Sequence, residues 1–212
     1  MWHKKTKNAI KIASLNCAGL KPHSLDIIDD TTLLNADILH LLETSLEKTD
    51  DILLTIPGYN SHFINVGNGK GIVTFYKEEV FKHQQDHEGE NMQITKFTSD
   101  ELDVINVYRS SNGHSVELLS HLKDMMTKEK SLLITGDFNI CFHTISNNRM
   151  SKGLDKLGFS QLVKEATHIR GGHIDHAYWR DENGVWKNPE LERYSPYYSD
   201  HDASCITLVR RE

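Results

Sequence analysis

The sequence predicts an α/β (α+β) fold: a four-layered sandwich of two packed, mostly antiparallel sheets flanked by helices. Three observations predict it. Strand-like runs rich in Val, Ile, Phe and Tyr recur along the whole chain, each bordered by turn residues. Helical patterns fill only a few of the gaps, so the regular strand–helix alternation of a doubly wound parallel sheet is missing. Neighbouring runs such as "GIVTFYK", "FKHQQ" and "MQITKF" are close enough to pair as hairpins.

The elements follow in chain order. "IKIASLNC" and "ADILHLL" are apolar strands separated by "PHSLDIIDDTTLLN", a helical stretch with Pro22 near its start, where a missing N–H costs nothing. "YNSHFINV", "GIVTFYK", "MQITKFT" and "LDVINVYR" continue the strand series. "SVELLSHLKDMMTKEK" has helical spacing, with Ser115 as a candidate cap. "SLLITGDF", "HIDHAYWR" and "SCITLVR" complete the strands. Asn183-Gly184 in "DENG" predicts a tight hairpin turn, across which Trp179 and Trp186 would form a cross-strand pair.

A chain of 212 residues without repeats, low-complexity tracts or a Pro/Gly/Ser-rich linker is read as one domain spanning residues 1–212. No apolar run approaches the ~20 residues of a membrane span. The start, "MWHKKTKNAIKIASLN", lacks a signal-peptide pattern, so the expected location is intracellular, nuclear or cytoplasmic, and not secreted. "HKKTK" reads as a disordered basic tail, with a nuclear signal as the alternative. Three scattered cysteines without a Cys-x-x-Cys pair fit free thiols in a reducing compartment. With 30 acidic against 24 basic residues and a formal charge of −6, any grip on nucleic acid must be local.

The stretch "LLITGDFNI", residues 132–140, carries the first chemical signal. It begins as a buried strand and then turns polar. Side chains alternate along a strand, so Asp137 and Asn139 share one side while Phe138 turns toward the apolar interior. Other strands end in the same way. Asn16 closes "ASLN", Glu43 follows "ILHLL", Tyr108 and Arg109 end "VINVYR", Asp175 lies in "HIDHAYW", and Asp200 and His201 precede the last strand. One such residue is ordinarily a turn former; a set of them at strand ends is a candidate site.

In this order they resemble the endonuclease/exonuclease/phosphatase superfamily, including its retrotransposon-type and apurinic/apyrimidinic endonuclease members. The matching elements are "NCAGL", "LLET", Gly71 opening "GIVTFYK", "NVYRSSN", "GDFN", "IDH" and "SDH", spread from about residue 10 to residue 209. "GDFN" followed later by "SDH" is the specific part. Leu42 stands where many relatives carry Gln, and Asp202 and Ala203 where relatives often have an apolar residue and proline.

The resemblance implies a Mg²⁺-dependent phosphodiesterase, with Mn²⁺ as a substitute, that cleaves DNA as an endonuclease and leaves 5′-phosphate and 3′-hydroxyl ends. Glu43, Asn16 and Asp200 are the implied metal ligands. Asp137 would orient or deprotonate the attacking water, Asn139 would hold the phosphate or the water in line, and His201 would donate to the phosphate with Asp175 fixing its tautomer. Tyr108 would contact the same phosphate. Arg109 would clamp a neighbouring one, with Asn112 and Arg170 adding contacts to nucleic acid. Lys70, Arg149, Lys152 and Lys164 are further basic candidates, each read singly as a solvated face.

Competing readings within the family are a tyrosyl-DNA phosphodiesterase, an RNA-cleaving enzyme or a phosphatase of small phosphoesters; outside it stands a catalytically silent binding module. The expected partner is DNA, with no membrane, and a fused or bound partner would supply targeting. Tyr194, Tyr197 and Tyr198 stay open as surfaces for an unpaired base. A structural zinc site is not expected among the 13 histidines. There is no "HExxH"; His173 and His176 stand close together, and His83 and His87 would share a strand face but lie too far apart for one ion.

Overall fold

The structure, a computed structural model, describes residues 7–47, 49–50, 54–64, 67–141 and 149–212. Most of "HKKTK" therefore lies outside the described residues. Strands β1 (Ala9–Asn16), β2 (Ile38–Leu42), β3 (Asn60–Ile64), β4 (Ile72–Tyr76), β11 (Glu190–Tyr194) and β12 (Ala203–Val209) form one six-stranded sheet in the order β11-β12-β1-β2-β4-β3. Strands β5 (Lys82–Gly89), β6 (Met92–Thr98), β7 (Leu102–Arg109), β8 (Ser131–Asp137), β9 (Ser160–Gln161) and β10 (Asp175–Arg180) form the second, in the order β5-β6-β7-β8-β10-β9. Among the described residues only β1–β2 and β7–β8 are parallel. Each parallel pair is joined by a helix, as a crossover requires: α1 (Leu20–Asp29) with a short 3₁₀ turn at Leu33–Asn35, and α2 (Ser115–Met125). A third helix, α3 (Arg149–Lys156), packs beside α2.

Strand periodicity splits the apolar residues into three layers. Ala13, Leu15, Leu39 and Leu41 face outward under Leu20 and Ile27 of α1. Ile105, Ile134 and Tyr178 face outward on the other sheet, under Leu118 and Leu122 of α2 and Met150 and Leu154 of α3. Ile12, Ile38, Ile206, Val104, Leu133 and Ala177 close the space between the sheets. Burying layers of this size is the main stabilising contribution, at about 25 cal/mol per Å² of apolar surface.

The inward-facing positions change character along the strands. After the apolar layer comes a polar one: Ser14, His40, Thr74, Thr95, Asn106 and Thr135 are all buried, and Asn106 Nδ2 crosses between the sheets to Ser14 Oγ at 2.9 Å. Two residues further along β1, β7 and β8, on the same inward face, stand Asn16, Tyr108 and Asp137.

Three sequence expectations need correction. Ser115 is the first helical residue of α2, and His114 occupies the cap position. The Asn183-Gly184 turn joins no hairpin. Trp179 pairs with Leu133 and Ser160, whereas Trp186 bridges to Arg210, so the turn carries the chain from one sheet to the other. Both indoles end in the apolar layer between the sheets. Finally, His83 and His87 do not share a face. A β-bulge between His83 and Gln85 shifts the alternation, leaving His83 stacked on His62 and His87 beside His121 of α2.

Candidate active site

Pairing register lines up the first row of the site. Asp137, at the end of β8, is the register partner of Tyr108 on β7 and of Asp175 on β10. Three adjacent strands thus present a phenol and two carboxylates side by side toward the facing sheet. Like charges directly opposite each other in a sheet are destabilising, and both Asp137 and Asp175 are buried. The backbone is specialised here as well. Gly136 has φ +133°, and a Cβ at that position would lie 2.0 Å from the Val107 carbonyl oxygen, so only glycine lets β8 approach β7 just before Asp137.

The facing sheet supplies the second row. Asn16 Nδ2 donates to Asp137 Oδ2 at 3.0 Å, while its Oδ1 accepts from Ala18 N. Glu43 follows β2, half-buried, with its backbone in the left-handed region at φ 52°. Ala18, Ser45 and Asn139 share that unusual conformation around the same rim, and such strain clusters where a site is held against local preference. Backbone bonds from Thr44 to Gly71 and from Ser45 to Lys70 hold the Glu43 segment in place. Burial and the nearby Glu43 push the Tyr108 hydroxyl above its ordinary range, with Asp137 adding to the effect, while the hydroxyl donates to Gly69 O at 3.3 Å. Glu43 and Asp137 therefore flank one phenol.

His201 sits between the rows. Its Nδ1 is 2.9 Å from Asp175 Oδ2, the same oxygen that accepts Thr167 Oγ1 at 2.6 Å. Burial opposes its charge, but the bond to Asp175 and the nearby Asp137 and Asp200 raise its pKa to about 9, so the imidazole is protonated at neutral pH. Burial and the opposing Asp175 push Asp137 up to about 8, against the pull of His201 and of its bonds from Asn139 and Asn16. Among the described residues no lysine or arginine forms an ion pair with Asp137 or Asp175. Asn139 donates its backbone N–H to Asp137 Oδ1 at 2.8 Å and its Nδ2 to Arg109 O at 2.9 Å.

Two groupings of His, Asp and Glu here have donor atoms within 4.8 Å of one another: Asp137, Asp175 and His201, and His168, Asp200 and His201. Glu43 belongs to neither. Asp200 is exposed and takes a 3.2 Å hydrogen bond from His168 Nε2.

The structure corrects one role. Alternation sends Arg109 to the opposite face from Tyr108, where its guanidinium is spent on the carbonyls of Phe138, Asn139 and Gly113. It fastens the loop that carries Asn139 and is not available as a phosphate clamp. Asn112 and Arg170 are exposed, in the turn beyond β7 and in the turn after His168. Tyr198 is buried on Asp30 beside α1, away from any stacking role, while Tyr197 is exposed.

Three supporting residues were missed in the sequence: Thr167 on Asp175, His168 on Asp200, and Ser199, whose Oγ donates to Asn16 O at 2.7 Å and accepts from His201 N at 3.0 Å. Their only signal was position. Thr167-His168 lies just before "IDH", and Ser199 opens "SDH".

The sequence profile of the endonuclease/exonuclease/phosphatase family matches residues 13–201. No curated protein sequence matches the chain. Solved structures share the fold at low identity. The endonuclease domain of TRAS1, a telomere-specific non-LTR retrotransposon, superposes with a TM-score of 0.67 at 13% identity, over 96% of this chain and 100% of that one. The 3′ phosphatase NExo from Neisseria, bound to a product DNA hairpin, gives 0.69 at 18% identity, and an AP endonuclease from Archaeoglobus fulgidus gives 0.69 at 16%, each over 96% of this chain and 100% of the other.

Proposed function

The chain belongs to the endonuclease/exonuclease/phosphatase family, whose members are typically hydrolytic nucleases and phosphatases, and from that premise we propose a divalent-metal-dependent phosphodiesterase that cleaves DNA internally, leaving 5′-phosphate and 3′-hydroxyl ends. The observation that carries the proposal is the buried cross-strand pair Asp137 and Asp175 with protonated His201 between the sheets. A fold built only for stability has no reason to oppose two carboxylates there.

The donor set suits a hard cation. Carboxylates of Glu43 and Asp200 and the carboxamide of Asn16 offer oxygens, which Mg²⁺ and Mn²⁺ prefer, and the nearby acids outnumber the one charged imidazole. Glu43, Asn16 and Asp200 would hold the ion, whose charge would stabilise the phosphate oxygens as negative charge develops. The remaining work falls to the protein. In its ionised form Asp137, fixed by Asn16 and Asn139, accepts the proton of the attacking water. Asn139, with Nδ2 donating to Arg109 O and to Asp137 Oδ2, keeps its Oδ1 to hold the attacking water in line. With Nδ1 engaged by Asp175, His201 presents Nε2–H to the phosphate, where positioned donors act most strongly on developing charge. Tyr108 lines the same pocket.

DNA is the substrate favoured by the TRAS1, NExo and AP endonuclease likenesses. At a net charge of −6 the grip is local, with Asn112 and Arg170 on exposed turns as contacts to the backbone and a fused or bound partner for targeting.

The test is incubation with supercoiled plasmid, single-stranded DNA and RNA in Mg²⁺, Mn²⁺ or EDTA, beside Asp137→Ala. Nicking of closed plasmid in Mg²⁺ or Mn²⁺, abolished by EDTA and reduced at least about 100-fold in the variant, is the expected result. Plasmid left closed while ends are processed would replace the endonuclease with an end-processing phosphodiesterase.

A further inference from the structure

The open side of the sandwich, where edge strand β3 of one sheet meets edge strand β5 of the other, carries a second cluster of metal-type side chains. His62 Nε2 lies 2.7 Å from Asp86 Oδ2, and His83 Nε2 lies 3.0 Å from Asp86 Oδ1. The three donor atoms fall within 4.8 Å of one another.

Local structure assembles this cluster deliberately. His83 and Asp86 are three residues apart, and on a regular strand they would point to opposite faces. The bulge between His83 and Gln85 inserts one residue and returns them to the same side. His62 arrives from the other sheet, and the two imidazoles lie 3.7 Å apart, 22° from parallel, with both Nε2 atoms turned to one carboxylate. Phe97, fully buried, packs its ring against both at 5.9 and 5.4 Å and fixes their planes. Burial opposes the charge on Asp86, but its bonds from His62 and His83 hold it below the usual carboxylate range, so it is ionised. Side-chain exposures of 25%, 31% and 19% for His62, His83 and Asp86 leave a path for an ion to enter.

We infer that His62, His83 and Asp86 bind a transition-metal ion of the Zn²⁺ class, which fastens the open edges of the two sheets together. The donor set decides the class. Two imidazole nitrogens and one carboxylate oxygen suit Zn²⁺ and its neighbours, whereas Mg²⁺ and Ca²⁺ take oxygen ligands. Binding replaces the two Nε2···carboxylate hydrogen bonds: each imidazole binds as the neutral tautomer that carries its proton on Nδ1 and offers the Nε2 lone pair to the ion, and the fourth position stays open to water. Phe97 then holds the planes of the two imidazoles, as outer-shell partners do in metal sites. The site is separate from the one that faces the substrate, and it ties residues of two sheets that pair with different neighbours.

The full-length protein, stripped with a chelator, is titrated with Zn²⁺ against a chromogenic competitor and, separately, with Co²⁺ while its visible d–d absorption is followed. The substrate site also takes divalent ions, so wild type is compared with His62→Ala and Asp86→Asn. Each variant is expected to bind one equivalent fewer, to lose the Co²⁺ absorption of the edge site, and to weaken binding there by more than about 100-fold. Zn²⁺ should raise the Tm of wild type by clearly more than that of either variant, while Mg²⁺-supported activity stays the same in all three. Should His62→Ala fold poorly, His83→Gln makes the same comparison at a more exposed position. Equal stoichiometry in wild type and variants, or a Zn²⁺-induced rise in Tm as large in the variants as in wild type, overturns the assignment.

Discussion

Buried carboxylates occupy both ends of this sandwich, and they are treated in opposite ways. At the end where β2 and β7 begin, Asp37 and Asp103 are buried and fully matched. Asp37 accepts from Lys7, from Lys77 Nζ at 3.0 Å and from the Lys11 backbone N–H at 3.0 Å. Asp103 takes Lys96 at 2.8 Å and the hydroxyls of Thr98 and Thr127 at 2.7 Å each. Burial works against both charges, yet these partners hold both acids below the usual carboxylate range. At the other end, Asp137 and Asp175 face each other with one imidazolium between them, and Asp137 rises to about 8. The direction of the shift separates Asp137, held by the fold for chemistry, from the acids that hold the fold, in keeping with the clustering of perturbed groups at functional sites.

The sharpest way to break that comparison is a charge-neutralising substitution at each end. Asp175→Asn keeps an oxygen for Thr167 Oγ1 and His201 Nδ1–H while removing the charge that burdens Asp137. Activity on DNA is expected to fall about 10²- to 10⁴-fold, because His201 loses its ionised partner, while the denaturant midpoint holds or rises. Asp103→Asn should do the reverse. Lys96, only 2% exposed, is left without a counter-charge, which costs about 3–5 kcal/mol of stability. Turnover per folded molecule should not change. Urea titrations and plasmid nicking on the same preparations check both, and a loss of stability in Asp175→Asn as large as that in Asp103→Asn would erase the distinction.

Much of this was legible in the sequence because two simple periodicities govern it. Apolar runs with strand spacing fixed most strands, and polar residues at inward-facing strand ends marked Asn16, Tyr108, Asp137 and Asp175. What escaped depends on geometry that no short window contains. Strand β9 is two residues long, β11 ("ELERY") is a charged, mostly exposed edge, and α3 buries only Met150 and Leu154, so none has a strong pattern. Arg109 looked like a phosphate clamp by its place in "NVYR", but one step of alternation beside Tyr108 turned it to the other face. The bulge at His83 broke the period on which the histidine reading relied, and Trp186 crosses to the sheet opposite Trp179. Residues such as Thr167 and Ser199 act only through partners distant in sequence, and their type alone says nothing about them.

The smallest predicted effect concerns acid. Asp37 and Asp103 have folded-state pKa values below the roughly 3.9 of an unfolded aspartate. The unfolded chain therefore binds more protons in that window, and the stability these acids contribute is present above about pH 4 and lost as pH falls through their folded values. Asp137 contributes with the opposite sign. Its folded value near 8 lies above the unfolded one, so its share is complete below about pH 4 and declines as pH rises through 8, and it cannot produce an acid limb. Urea midpoints measured from pH 7 down to pH 3 in EDTA should fall below about pH 4 in wild type and in Asp175→Asn alike. In Asp103→Asn the decline should be shallower from an already lower start, since one of the buried acids that generate it is gone. An acid limb unchanged in Asp103→Asn, or abolished in Asp175→Asn, would mean that the matched end of the sandwich is not where acid acts.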